Sequence, residues 1–455
     1  MSVPSLNVSI FDSAVYSPLF SYPPMHELWS DTAMVQAWLD YEIALASAQA
    51  QLGVIPQAAA DAIAKAARLE HIDWQQLADD TRKVGMAVKP VVDQVAAAGN
   101  EQVKHYLHWG STTQDLLDSG QAMRLAKALA LIKMQLQQVI KQLAAMANTH
   151  RHTLMVARTN AQDASPSTWG FHVSGYLSEF CRHYQRLAQI TPRATTGMYG
   201  SAIGNLSSAG PNGIAIRNLL LDKLGLPRPV GQWNASHDSL VEVIQFFALV
   251  HGSLQRIAND VELMSRASIA ELREGEEGGG SSTMPHKANP RAANSIQAMA
   301  RLGWMYASSA PNMLDQTDVR SSAARMLDWS LLPESCLAVS GALHRGEKML
   351  THLHVNSEQM RENFKASRHL IMSESVMMKV ADKVGRDQGY RLVKEAIARH
   401  QDSSMQLEDI LLTSPELMQY FSYDELKAAC DPANHLGAND ALIDEALAFA
   451  KVLLD

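Results

Sequence analysis

LAKALALIKMQLQQVIKQLAAM, residues 125–146, decides the fold. Leu125, Leu129, Ile132, Leu136, Val139, Leu143 and Met146 alternate four and three apart, so one narrow apolar stripe persists for about six helical turns. A second stripe follows from Ser236: Leu240, Val243, Phe247, Val250, Leu254, Ile257, Val261 and Met264. Helices of about 25–35 residues would be roughly 40–50 Å long. Further long helices are expected to start near Ser165 and after Pro290. Stripes of this kind pack lengthwise into a bundle, and stripes on more than one face would also bury against other copies, so a homo-oligomer is expected. No period-two strand of any length and no fixed repeat is visible. The reading is all-α.

Composition frames that reading. With 455 residues and 47% apolar content the chain can bury a large core, while 6% aromatics and abundant Ala, Leu, Met and Gln favour helices. A net charge of -8 and a pI near 6.1 leave no footprint for nucleic acid or an anionic membrane surface. The start, MSVPSLNVSIFDSAVYS, lacks a basic segment followed by an apolar block, and no apolar run reaches spanning length, so a soluble cytoplasmic protein is expected. Cys181, Cys336 and Cys430 lie far apart in helical surroundings and read as reduced core thiols.

From the N-terminus, Pro4, Pro18, Pro23 and Pro24 mark an irregular arm. A helix capped by Ser30 or Asp31 carries Trp38, Tyr41, Leu45, Ala48 and Leu52 inward and stops at Gly53. The expected organisation is a helical domain over 1–105, a central long-helix bundle over 106–360 and a small helical domain over 361–455.

The candidate chemistry lies in GEEGGGSSTMPHKANP, residues 275–290, too rich in glycine and polar groups for a buried element. A plain linker rarely carries Met284, Pro285, His286, Lys287 and Asn289 in such order. A phosphate loop needs Lys directly after its last glycine, where Ser281 stands. Ser281, after three glycines, can present its hydroxyl unobstructed. Backbone N–H groups and Lys287 could stabilise its oxyanion if it acted as a base, and Lys287 with Asn289 could hold a carboxylate. The implied chemistry is proton abstraction beside a carboxylate.

GSSTMPHKANP closely resembles the signature of the fumarase/aspartase superfamily. HWGSTTQDLLD (108–118) and RTNAQDASPSTWG (158–170) resemble its first and second regions, and GMYGSAIGN (197–205) a glycine-rich segment between the second and third. HWGSTTQD, Trp233 with SHDSLVE, and LLPESCLAVSGAL (331–343) look most like the 3-carboxy-cis,cis-muconate cycloisomerase branch, with adenylosuccinate lyase next. The resemblance implies a three-domain, all-helical protomer, a homotetramer whose active sites are shared between subunits, no metal and no organic cofactor. It implies a small anionic polycarboxylate substrate, with Ser281 as general base and Lys287 and Asn289 on a carboxylate. Thr112, Thr113 and Gln114 would bind substrate from the first region, and Thr159, Asn160 and Gln162 occupy the matching positions of the second. Ser282, Met284 and His286 would stand near the substrate. Ser321, Ser322 and Arg325 would add contacts, and His237 could replace a basic ligand.

The chain also departs from the pattern. Thr159-Asn160 stands where lyase members read Thr-His, and Asn294 where they carry Glu, so both halves of a His–Glu pair are absent together. Ala288 replaces the Arg usual in the cycloisomerase branch, and His237-Asp238 an Arg-Asp pair. An epimerase or C–N lyase acting on an amino- or imino-dicarboxylate such as iminodisuccinate is therefore the alternative to a cycloisomerase-like reaction. A non-catalytic homologue is a lesser one. His150, His152, His352 and His354 form two His-X-His pairs expected at helix ends rather than on a metal.

Overall fold

The computed structural model describes residues 8–275, 279–280 and 283–454. Helix α1, Asp31–Gln51, starts where Ser30 accepts a hydrogen bond from the Ala33 amide, and the chain leaves through Gly53 at a φ of 69°. Trp38, Tyr41, Leu45 and Ala48 are buried on its inner face. The long helices are α2 (Thr113–Thr149), α3 (Trp169–Ala194), α4 (Asp238–Met264), α5 (Arg291–Ser309) and α6 (Ser322–Thr351). The fold is all-α. Among the described residues no helix is long and apolar enough to cross a membrane. The three cysteines are free and buried.

The chain forms two compact units. The first comprises Met1–Leu136, His183–Gly252 and Ala298–Arg345; the second comprises Gln137–Arg182, Ser253–Gln297 and Gly346–Asp455. Helices α2 to α6 each give residues to both; in α2 and α4 the apolar stripe runs unbroken through the point where the units divide. In the first unit Trp38, Leu39, Tyr41, Ile63, Val91 and Leu116 belong to one core. There Gln135 of α2 donates to the Ser340 carbonyl of α6 at 3.0 Å, and the Ser340 hydroxyl donates back to Gln135 Oε1 at 2.8 Å. Each buried polar group answers the other, which fixes the register of two otherwise featureless apolar faces.

In the second unit Val156 joins Phe364, Met372, Val376, Leu407 and Leu426 in another core. Val156 lies in a feature the sequence reading missed. Strands β1 (Leu154–Thr159) and β2 (Gln162–Thr168) pair antiparallel, where no strand was expected. Asn160 and Ala161 both hold positive φ, 51° and 62°, giving the two-residue turn whose twist matches a hairpin. The expected helix near Ser165 begins instead at Trp169, because Thr168 Oγ1 accepts from the Phe171 amide and caps α3. The strand pattern is hidden because the hairpin's tip, from Thr159 to Asp163, is exposed and, apart from Ala161, polar.

Candidate active site

In the first unit, α2 begins in the middle of the HWGSTTQD motif. His108 and Gly110 take left-handed backbone conformations, and buried Glu42 of α1 secures the bend, accepting from the His108 amide at 3.1 Å and pairing with its imidazole at 2.5 Å. Burial works against a charged imidazole, but the Glu42 carboxylate prevails and holds the His108 pKa above its ordinary value.

In the first turn of α2, Asp115 is fully buried and accepts from the amides of Thr112 (3.0 Å), Gly200 (2.9 Å) and Ser201 (3.2 Å). Burial pushes its carboxyl up to about 6, against the pull of those three amides. Four residues later, Ser119 exchanges hydrogen bonds with the Met198 backbone. The GMYGS segment is thus stitched to α2 by two side chains on one helical face.

On the neighbouring face, Gln114 is buried and donates to Asp118 Oδ2 at 3.0 Å and to the Asn234 carbonyl at 2.7 Å, while Arg320 donates to its carbonyl oxygen at 3.3 Å. Arg325 pairs with Asp118. His237, buried just before α4, pairs with Asp328 of α6 at 3.0 Å. Burial raises the Asp328 carboxyl pKa despite that partner. His237 and Asp118 line a small cleft with Trp233, Ser236 and Gln121. Thr112 and Thr113 are half-buried at the helix start, and Ser322 is exposed at the start of α6.

In the second unit, the turn between β1 and β2 presents Thr159, Asn160 and Gln162 to solvent. Its base is held by Arg158, which grips buried Glu271 with two bonds of 2.8 Å. Strand β3 (Leu272–Arg273) follows. Glu274 then caps α5, accepting from the amides of Ala292 (3.0 Å) and Ala293 (2.8 Å), where a carboxylate meets the positive end of the helix. Within the motif, β4 (Gly279–Gly280) pairs antiparallel with β5 (Ala288–Asn289) in a short ladder. Arg291 donates to the Gly280 carbonyl at 2.6 Å, and a Cβ at Gly279 would lie 1.7 Å from Arg291 Nε, so a larger residue there would have to displace that side chain. Ser281 and Ser282 lie outside the described residues. His286, Lys287, Ala288 and Asn289 line a cavity of about 780 Å³, together with Arg266, Arg273, Glu274 and His354. Met284 is exposed beside them.

The expected residues therefore form two groups. Gln114, His237 and Arg325 belong to one polar network in the first unit; His286, Lys287 and Asn289 share one cavity in the second. Arg325 is already engaged by Asp118, and His237 by Asp328. Sequence reasoning passed over Asp118, Asp328, Arg266, Arg273 and Glu271. Asp118 had a local signal, four residues after Gln114 on one helix face. The others had none, since their partners are distant in sequence. Neither His-X-His pair stands in a metal cluster; the described residues contain no such group.

Over residues 20–302 the chain matches the lyase family, and over 369–446 the adenylosuccinate lyase C-terminus. It belongs to the fumarase/aspartase superfamily. Within that superfamily the chain is 36% identical to trans-aconitate decarboxylase 1 of Mycosarcoma maydis, covering 96% of this chain and 89% of the relative. It is 34% identical to the 3-carboxy-cis,cis-muconate cycloisomerase of Pseudomonas aeruginosa, over 95% and 96%. A solved fumarate lyase from Mesorhizobium sp. BNC1 superposes with a TM-score of 0.90 at 35% identity, over 95% of this chain and 99% of that one. The protein is accordingly an enzyme, a lyase or isomerase of the superfamily.

Proposed function

We propose that this enzyme removes a proton next to a carboxylate of a succinate-type di- or tricarboxylate, without a cofactor, in a 3-carboxy-cis,cis-muconate cycloisomerase-like reaction. Ser281 is the base. Lys287 and Asn289 hold a substrate carboxylate, the lysine by a charge-assisted bond and the asparagine as an amide donor. Thr112, Thr113 and Gln114 from the first region and Thr159, Asn160 and Gln162 from the second bind further substrate oxygens, with Ser282, Met284, His286, His237, Ser322 and Arg325 close by. Fixing the carboxylates lowers the cost of the enediolate-like charge that develops as the proton leaves.

The observation that supports this most is the common cavity of His286, Lys287 and Asn289, beside the pairing of Gly279–Gly280 with Ala288–Asn289. The reading includes a homotetramer with shared active sites, a cytoplasmic location and the division into 1–105, 106–360 and 361–455. Separate apolar cores, one built largely from residues 35–103 and one from 364–430, support that division.

Ser281→Ala is the test. Turnover of the true substrate should fall by about 10² or more while the melting temperature stays unchanged. A folded variant with near-wild-type turnover would remove the serine from its role. The second reading, an epimerase or C–N lyase acting on an amino- or imino-dicarboxylate, is favoured by Ala288, which supplies no cation within the motif. Product analysis separates them: lactone formation marks a cycloisomerase, new ultraviolet absorbance from fumarate a lyase, and changed optical rotation without unsaturation an epimerase. The enzyme relatives speak against the non-catalytic reading.

A further inference from the structure

The motif reading takes the chain to be short of cations, since Ala288 and His237-Asp238 stand where arginines are usual. The cavity lined by Ala288 holds two arginines that no motif contains. Arg266 follows the end of α4, and Arg273 sits on β3. Strand β3 pairs with β6 (His354–Val355), and Arg273 faces His354 across the ladder. Leu272 is buried, so strand alternation turns Arg273 to the opposite, exposed side.

Among the described residues that line this cavity the charge balance is one-sided. Both carboxylates among them are engaged: Glu262 accepts from Gln297 at 2.7 Å, and Glu274 caps α5. Among the described residues, neither Arg266, Arg273 nor Lys287 has a carboxylate partner. Among the described residues, three cations and two imidazoles thus border one space of about 780 Å³. Such a space favours a ligand with several negative charges, and guanidinium forks favour planar carboxylates.

We propose that Arg273, assisted by Arg266, is a specificity-determining subsite that binds an additional carboxylate of the substrate, replacing the cation missing at Ala288 and selecting tri- over dicarboxylates. The proposal rests on the reading of Lys287 and Asn289 as ligands of a first carboxylate.

Calorimetric titration with tricarballylate and with succinate tests it without requiring turnover. Wild-type enzyme should bind tricarballylate more tightly. Arg273→Gln should weaken tricarballylate by about tenfold or more, Arg266→Gln/Arg273→Gln further, and Arg273→Lys less, with succinate affinity nearly unchanged in each. Both arginines are exposed, so the variants should keep the wild-type melting temperature. Equal binding of the two probes by wild-type enzyme, an unchanged tricarballylate affinity in the double variant, or equal weakening of both probes would overturn the proposal. Lys287→Met should weaken both probes; if it weakens neither while Arg273→Gln remains selective, the first-carboxylate reading fails and the subsite survives.

Discussion

Arg158 and Glu271 form a bidentate ion pair, with both N···O distances 2.8 Å and the glutamate side chain wholly buried. The pair ties the β1–β2 hairpin to the chain just before β3, and Asn363 donates to the same carboxylate at 2.8 Å. Removing the arginine leaves a buried charge with one neutral donor. Arg158→Leu should therefore cost about 3 kcal/mol, read from the urea midpoint, and Arg158→Leu/Glu271→Leu should recover part of that loss. A double variant no more stable than the single one would contradict this account.

Asp115 gives a pH signature. Its folded value of about 6 exceeds the 3.8 of an ordinary aspartate, so between those values the native state holds more proton than the unfolded chain. Its contribution to stability therefore rises as pH falls from 6 toward 4 and is lost on raising the pH again. Asp115→Asn should be less stable at pH 7, because an amide offers one acceptor where three backbone N–H groups donate. It should also lack the gain of wild-type enzyme between pH 6 and 4. Parallel pH profiles of urea midpoints for the two proteins would refute the assignment.

His251 acts in the opposite direction. Its ring is fully buried, neither nitrogen has a hydrogen-bond partner among the described residues, and a Cβ at Gly303 would lie 2.1 Å from it. Burial depresses its pKa to about 3, below the 6.5 of a free histidine. The unfolded chain thus binds the extra proton, and stability falls as pH drops from about 6.5 toward 3. His251→Leu should flatten that decline while leaving the neutral-pH melting temperature within a few degrees. A variant that loses stability as steeply as the parent across this window would place the acid sensitivity elsewhere.

Lys287 should matter for binding more than for folding, since it is exposed on the cavity wall. Lys287→Met is expected to raise KM about 10- to 100-fold with an unchanged melting temperature. Unaltered KM on the true substrate would remove it from the carboxylate site.

The sequence by itself determined the helical class and the presence of the long helices α2 and α4. These follow from short-range physics: a stripe repeating over many turns admits only a long helix. That Lys287 and Asn289 fall together in one polar motif was legible for the same reason. Only the tertiary structure decided that RTNAQDASPST is a hairpin, because its exposed tip leaves no period-two pattern. It also decided that Arg325 and His237 are engaged by Asp118 and Asp328, and that Arg266 and Arg273 border the cavity of Lys287. Those pairings join residues far apart in the chain, whose meeting depends on how helices and strands pack, and nothing local in the sequence encodes it.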